Sequence, residues 1–153
     1  MSRKNARECA LKLVFEYIFT KERNKITFDE LLSDKNLAKE DKLYIFKIYE
    51  GVTECYGELT EIIERNSNGL KAERIYRTDL ALLLVAVYEM KYIDEIPLAV
   101  SINEAVDNAK IYSAEKSTIF INGVLSGVYK ELTAPQNQTE TAAENNRKEE
   151  PNG

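Results

Sequence analysis

"TDLALLLVAVYEMKY", residues 78–92, carries only Asp79, Glu89 and Lys91 as charged residues. A helix apolar around its whole circumference cannot lie on a surface and has to be enclosed by other elements. Its longest apolar stretch, "LALLLVAVY" at 80–88, is far shorter than the roughly 20 residues of a membrane span. The segment therefore reads as the central helix of a soluble helical protein, with Thr78 as its expected N-cap.

The flanking sequence supplies helices to surround it. "ARECALKLVFEYIF", residues 6–19, places Leu11, Val14, Phe15 and Ile18 on one face. After the break "NKIT", Thr27 and Glu30 form a capping-box pattern ahead of a short helix, "FDELLSD". From about Glu40 to Glu64, Ile45, Ile48, Val52, Cys55, Leu59 and Ile62 recur in steps of 3 and 4, which predicts one long helix. Gly51 and Gly57 fall inside it, each costing about 1 kcal/mol relative to Ala, so both are expected to mark a close helix approach. "RNSNGL", 65–70, ends this run with a Gly suited to a C-terminal cap, and "AERIYR", 72–77, reads as one short turn.

Beyond the central segment, "IDEIP" is a loop, and Pro97 is expected at the first position of the next helix, 97–111. Ser113 is the expected cap of a last helix, reaching about Leu132 through Phe120, Ile121, Val124, Leu125 and Val128. Gly123 is expected at a close helix contact. No strand pair is recognisable. The fold class is all-α: two small helical bundles, about 1–66 and 72–132, packed together from about seven helices. Residues 133–153, "TAPQNQTETAAENNRKEEPNG", have almost no large apolar side chain and are expected to be a disordered polar tail.

Catalysis finds little support. The 153 residues include no histidine, which excludes Ser-His-Asp and Cys-His pairs and removes the commonest metal ligand. Cys9 and Cys55 sit in apolar helical patterns and read as free thiols, too few for a zinc site. The carboxylate pairs Asp94-Glu95 and Glu149-Glu150 fall on loop and tail, where they read as solvated charge. No metal site, cofactor or catalytic residue is expected. With neither a signal-peptide pattern nor a membrane span, a cytoplasmic binding protein is the expectation.

A charge anomaly points to what is bound. The net charge is −5, yet Arg3, Lys4 and Arg7 crowd the first helix start. Cations there oppose the macrodipole by about 0.3–1 kcal/mol each, but they favour a phosphate on the free N–H groups. Arg3 and Arg7 share a helix face, Lys4 lies beside it, Asn5 adds neutral hydrogen bonding, and Lys12 extends the patch. The alternative is a chance accumulation of charge near a terminus.

The C-terminal half resembles the NusB family of transcription antitermination proteins. The matching pieces are "YE" at 88–89, "IP" at 96–97, "INEAVDNAK" at 102–110 and "S-x-x-F-I-N-G-V-L" at 117–125, with "ARECAL" at 6–11 behind a basic run. The resemblance implies two helical bundles, no cofactor and no catalysis. It implies binding of boxA-type single-stranded RNA together with NusE, a small-subunit ribosomal protein. The result is readthrough by RNA polymerase, notably on ribosomal RNA operons. By position, it assigns Arg3, Lys4, Arg7, Phe15, Lys116 and Phe120 to RNA and Asp79 to the ribosomal protein. Core packing is the competing reading of Phe15 and Phe120. Asn103 and Glu104, mid-helix in "INEAV", are expected to bond between helices rather than touch a ligand. A protein-only helical adaptor, or a homodimer with its RNA face covered, is the competing reading of the whole chain.

Overall fold

The computed structural model describes residues 3–135; Met1, Ser2 and residues 136–153, which include most of the expected tail, lie outside the described residues. Seven α-helices and one 3₁₀ turn are present among the described residues: α1 (Arg3–Thr20), α2 (Lys25–Leu32), α3 (Lys39–Glu54), α4 (Tyr56–Arg65), the 3₁₀ turn (Ala72–Arg74), α5 (Arg77–Tyr92), α6 (Leu98–Tyr112) and α7 (Glu115–Thr133). The all-α expectation holds.

The apolar run becomes α5, and every residue from Asp79 to Met90 is buried. Helices α1, α3, α4, α6 and α7 all pack against it. The hydrophobic core is continuous from Ala6 and Val14 on α1 through Ile45 and Leu59 to Leu125 and Val128 on α7. Each large aliphatic side chain fully withdrawn from water contributes about 1.5–3 kcal/mol, so α5 is held by burial rather than by its caps. Its N-cap is Tyr76, which makes no side-chain cap bond, and Thr78 lies inside the first turn instead of capping it.

Several helix boundaries differ from expectation for local reasons. Asn24, not Thr27, caps α2: its Oδ1 accepts from the Thr27 N–H at 3.1 Å. The long helix expected over 40–64 bends at Cys55, whose backbone leaves the helical region at φ −101°, ψ 17°. The bonds Cys55 N–H to Gly51 O and Leu59 N–H to Cys55 O, both 2.9 Å, carry the ladder across the bend. That continuity explains why the apolar period runs through without a visible break. Pro97 is the N-cap of α6 rather than its first residue, and Ala114 rather than Ser113 precedes α7. Asn66, not Gly69, is the C-cap of α4; Gly69 lies three residues further on in the following turn, at φ +81°, a backbone conformation that suits glycine.

The glycines divide sharply. A Cβ on Gly51 would lie 2.0 Å from the Tyr88 ring, so the tip of this side chain from α5 occupies the space that a larger residue on α3 would need. Gly57 and Gly123 face open space, contrary to the close contact expected of them. The contact on α7 is made one turn later: a Cβ on Gly127 would lie 2.4 Å from Asn66 Oδ1. Replacing Gly51 by Ala should therefore destabilise the protein by about 1–3 kcal/mol. Gly123→Ala should stabilise it by up to about 1 kcal/mol. Urea unfolding of the two variants checks both signs; an unchanged midpoint for Gly51→Ala would show that Tyr88 yields freely.

Candidate nucleic-acid interface

Helix α1 presents two different sides, and the basic residues divide between them. Arg7 points inward. Its Nε donates to Glu89 Oε2 at 2.9 Å and its Nη2 to Glu89 Oε1 at 3.2 Å. Arg7 is 6% exposed and Glu89 1%. Glu89 also accepts from Ser101 Oγ at 2.8 Å and from the Tyr44 hydroxyl. This corrects the assignment of Arg7 to RNA: its guanidinium is committed to a carboxylate that would otherwise be buried unpaired. Burial opposes the Arg7 charge, but the hydrogen bond and the field of Glu89 outweigh it and hold the guanidinium above its ordinary pKa. Burial first, then the Glu89 charge, push the Tyr44 phenol far above its ordinary value.

Arg3 remains exposed and stacks over the Tyr44 ring, 4.5 Å from its centroid. Lys4 and Lys12 are exposed. A cavity of about 20 Å³ is lined by Arg7, Glu89, Ser101, Glu104 and Asn108. Glu104 Oε2 and Asn108 Oδ1 are buried without a hydrogen-bond partner, whereas Asn103 is exposed, so neither residue of the "INEAV" pair bonds across helices through these atoms as expected.

Asp79 also turns inward. It is 2% exposed and accepts from Ser113 Oγ and Ser117 Oγ, both at 2.8 Å. The expected contact to a protein partner is corrected accordingly: the carboxylate ties the first turn of α5 to the α6–α7 connection. The same bond accounts for Ser113, which serves Asp79 instead of capping α7.

Phe15 and Phe120 line two grooves that flank the start of α5. Phe15, 37% exposed, lies edge-on to Phe19 with ring centroids 5.0 Å apart. It lines a groove of about 300 Å³ with Glu8, Leu11, Lys12, Thr78, Ala81 and Tyr112. Phe120 and Lys116 line a second groove, of about 200 Å³, with Arg74, Tyr76 and Asp79. Thr78 and Asp79, adjacent in sequence, thus border different grooves. Arg77, the residue before them and the first of α5, has its guanidinium 5.7 Å from the centre of the Phe19 ring. The result is a strip of partly exposed aromatic rings interleaved with Lys12, Arg74, Arg77 and Lys116, on a protein of net charge −5. Rings and cations in this alternation suit a single strand, whose bases stack and whose phosphates are anionic. Arg74, Tyr76, Arg77 and Tyr112 carried no periodic signal; the first three adjoin the α5 start in sequence, and only the return of the chain brings Tyr112 there.

The NusB family model matches residues 4–130. The chain belongs to the NusB family. It is 41% identical over 130 residues to the transcription antitermination protein NusB of Acetivibrio thermocellus, covering 85% of this chain and 90% of that one. NusB of Listeria monocytogenes serotype 4a is 41% identical over 129 residues, covering 84% and 96%. Among solved structures, Thermotoga NusB ("T. maritima NusB") superposes with a TM-score of 0.78 at 27% identity, covering 92% of this chain and 98% of that one. The structure of "Antitermination Factors NusB and NusE in complex with dsRNA" contains a chain that matches with a TM-score of 0.74 at 28% identity, covering 84% and 96%. The NusB fold thus extends over nearly all the described residues, and none of their helices is long and apolar enough to cross a membrane.

Two outcomes follow from the Glu89 cluster. Arg7→Met or Glu89→Gln alone should destabilise the protein by about 3–5 kcal/mol, while Arg7→Met with Glu89→Met should recover part of that loss. Denaturant unfolding of the three variants is the check. The second outcome concerns alkali. The folded state favours the protonated Tyr44 phenol, so this stability is intact below the unfolded pKa of about 10 and declines as pH rises above it. Thermal melts from pH 8 upward should show a shallower decline for Tyr44→Phe than for the parent protein.

Proposed function

We propose that this protein is a transcription antitermination factor. It binds boxA-type single-stranded RNA together with a NusE-like small-subunit ribosomal protein, and so promotes readthrough by RNA polymerase, notably on ribosomal RNA operons, in the cytoplasm. It acts by binding, not by catalysis.

The observation that carries this reading is the aromatic and basic strip around the start of α5. Family membership and the likeness to a NusB chain solved with NusE and RNA support it. Arg3 and Lys4 supply phosphate contacts at the start of α1, and Lys116 supplies another at the start of α7. Phe15 and Phe120 supply stacking surfaces. Arg7 and Asp79 act indirectly, by holding α1 and the α6–α7 connection against α5. So few cations on an acidic protein make for weak binding alone, and the ribosomal partner adds the remaining contacts.

Titration of a boxA-type RNA across salt concentrations, with and without the ribosomal partner, tests this. Neutralising three or four phosphates gives a log–log salt slope of about −2 to −3. Lys4→Ala and Lys116→Ala should each reduce its magnitude by about 0.7, and the partner should tighten binding. Affinity unchanged by the partner and by both substitutions would sink the proposal. A stable dimer in light scattering that ignores RNA would favour a protein-only adaptor.

A further inference from the structure

The groove beside Phe15 contains a group that phosphate binding alone does not need. Glu8 is a half-buried carboxylate on its rim, between the exposed cations Lys4 and Lys12 on α1. No salt bridge engages it among the described residues. A carboxylate so placed repels phosphates, so its presence weakens non-specific RNA binding unless it meets hydrogen-bond donors.

We propose that this groove receives one nucleobase of the bound RNA and that Glu8 selects guanine there. The inference rests on the RNA-binding reading above and adds a specificity determinant to it. Phe15 and Tyr112, 37% and 45% exposed, supply the aromatic surfaces, and the buried Leu11 and Ala81 supply apolar ones. An apolar slot of about 300 Å³ with a few polar groups suits a small planar ligand. Stacking on rings is how proteins hold unpaired bases. Lys12 on the rim, and Lys4 nearly in line with Phe15 along α1, offer cations to the flanking phosphates.

The donor pattern then chooses the base. An ionised carboxylate only accepts. On the Watson–Crick edge, guanine alone presents two adjacent donors, N1–H and the 2-amino group, which match the two oxygens of Glu8. Adenine and cytosine each offer one amino group beside an acceptor nitrogen, and uracil one N–H between two carbonyls.

The test uses the full chain, with and without its ribosomal partner, and a short labelled uridine-rich RNA carrying one guanine. Parallel RNAs replace that guanine by inosine, which lacks the 2-amino group, or by uridine. The parent protein should prefer guanine over inosine by on the order of tenfold. Glu8→Gln should bring that ratio close to one while tightening binding to the all-uridine RNA, because a repelling charge is gone. A merely structural role for Glu8 would weaken all three RNAs alike and would overturn the inference. So would equal affinity of the parent for guanine and inosine, or a guanine preference that survives Glu8→Gln. Loss of the preference on adding the ribosomal protein, with RNA still bound, would assign the groove to that protein instead. Failure of every RNA to bind, with the partner present, would remove the functional reading itself.

Discussion

The carboxylate of Glu89 is 1% exposed in the middle of a hydrophobic core, and the arrangement of the helices depends on satisfying it. A buried, unpaired charge is expensive enough that its partners are not optional. They come from three other helices: Arg7 of α1, Tyr44 of α3 and Ser101 of α6. Hydrophobic burial brings α1, α3 and α6 onto α5 without a strict register, because apolar contact is non-directional. The hydrogen bonds to Glu89 are directional, so they fix how far each helix slides and how it rotates.

Asp79 performs the matching task at the other end of α5. Its two serine donors hold the α6–α7 connection beside the first turn. The helix dipole treats the two ends differently. An acid in the first turn, as at Asp79, is favourable by itself, and neutral hydroxyl donors suffice for it. An acid in the last turn, as at Glu89, is unfavourable and calls for a cation, which Arg7 provides. The basic cluster at the start of α1 thus has a partly internal explanation. One base of the three neutralises the far end of α5, while Arg3 and Lys4 stay at the surface. Pinning both ends of α5 also positions the grooves on either side of its first turn, since Phe15 is carried by α1 and Phe120 by α7.

The sequence made the helices legible where burial was periodic or complete. α5 was readable because a run apolar on all sides has only one place to go. The α1 face containing Leu11, Val14 and Ile18 was readable because all three are buried. Caps were less legible. Thr27, Thr78 and Ser113 are all suitable capping residues, but capping depends on backbone geometry at one residue, and a neighbour or a distant carboxylate can claim the same hydroxyl. The bend at Cys55 left no trace because the hydrogen-bond ladder and the apolar period both continue across it. Of the glycines inside helices, only the approach of Tyr88 or Asn66 distinguishes those that must be small from those that need not be.

By itself the sequence determined the fold class and the central place of residues 78–92, through local composition and spacing. Its motifs carried the resemblance to the family, and through that resemblance Phe15 and Phe120 as candidates for a surface role; all of these signals are written along one dimension. Tertiary structure alone decided which charges remain free. Arg7 sits beside Arg3 and Lys4 in the chain, and Asp79 beside Thr78, yet Arg7 and Asp79 are enclosed while their neighbours reach the surface. Burial of a charge depends on a partner supplied from elsewhere, here 82 residues away for Arg7 and 34 or 38 for Asp79. No local pattern records that partner.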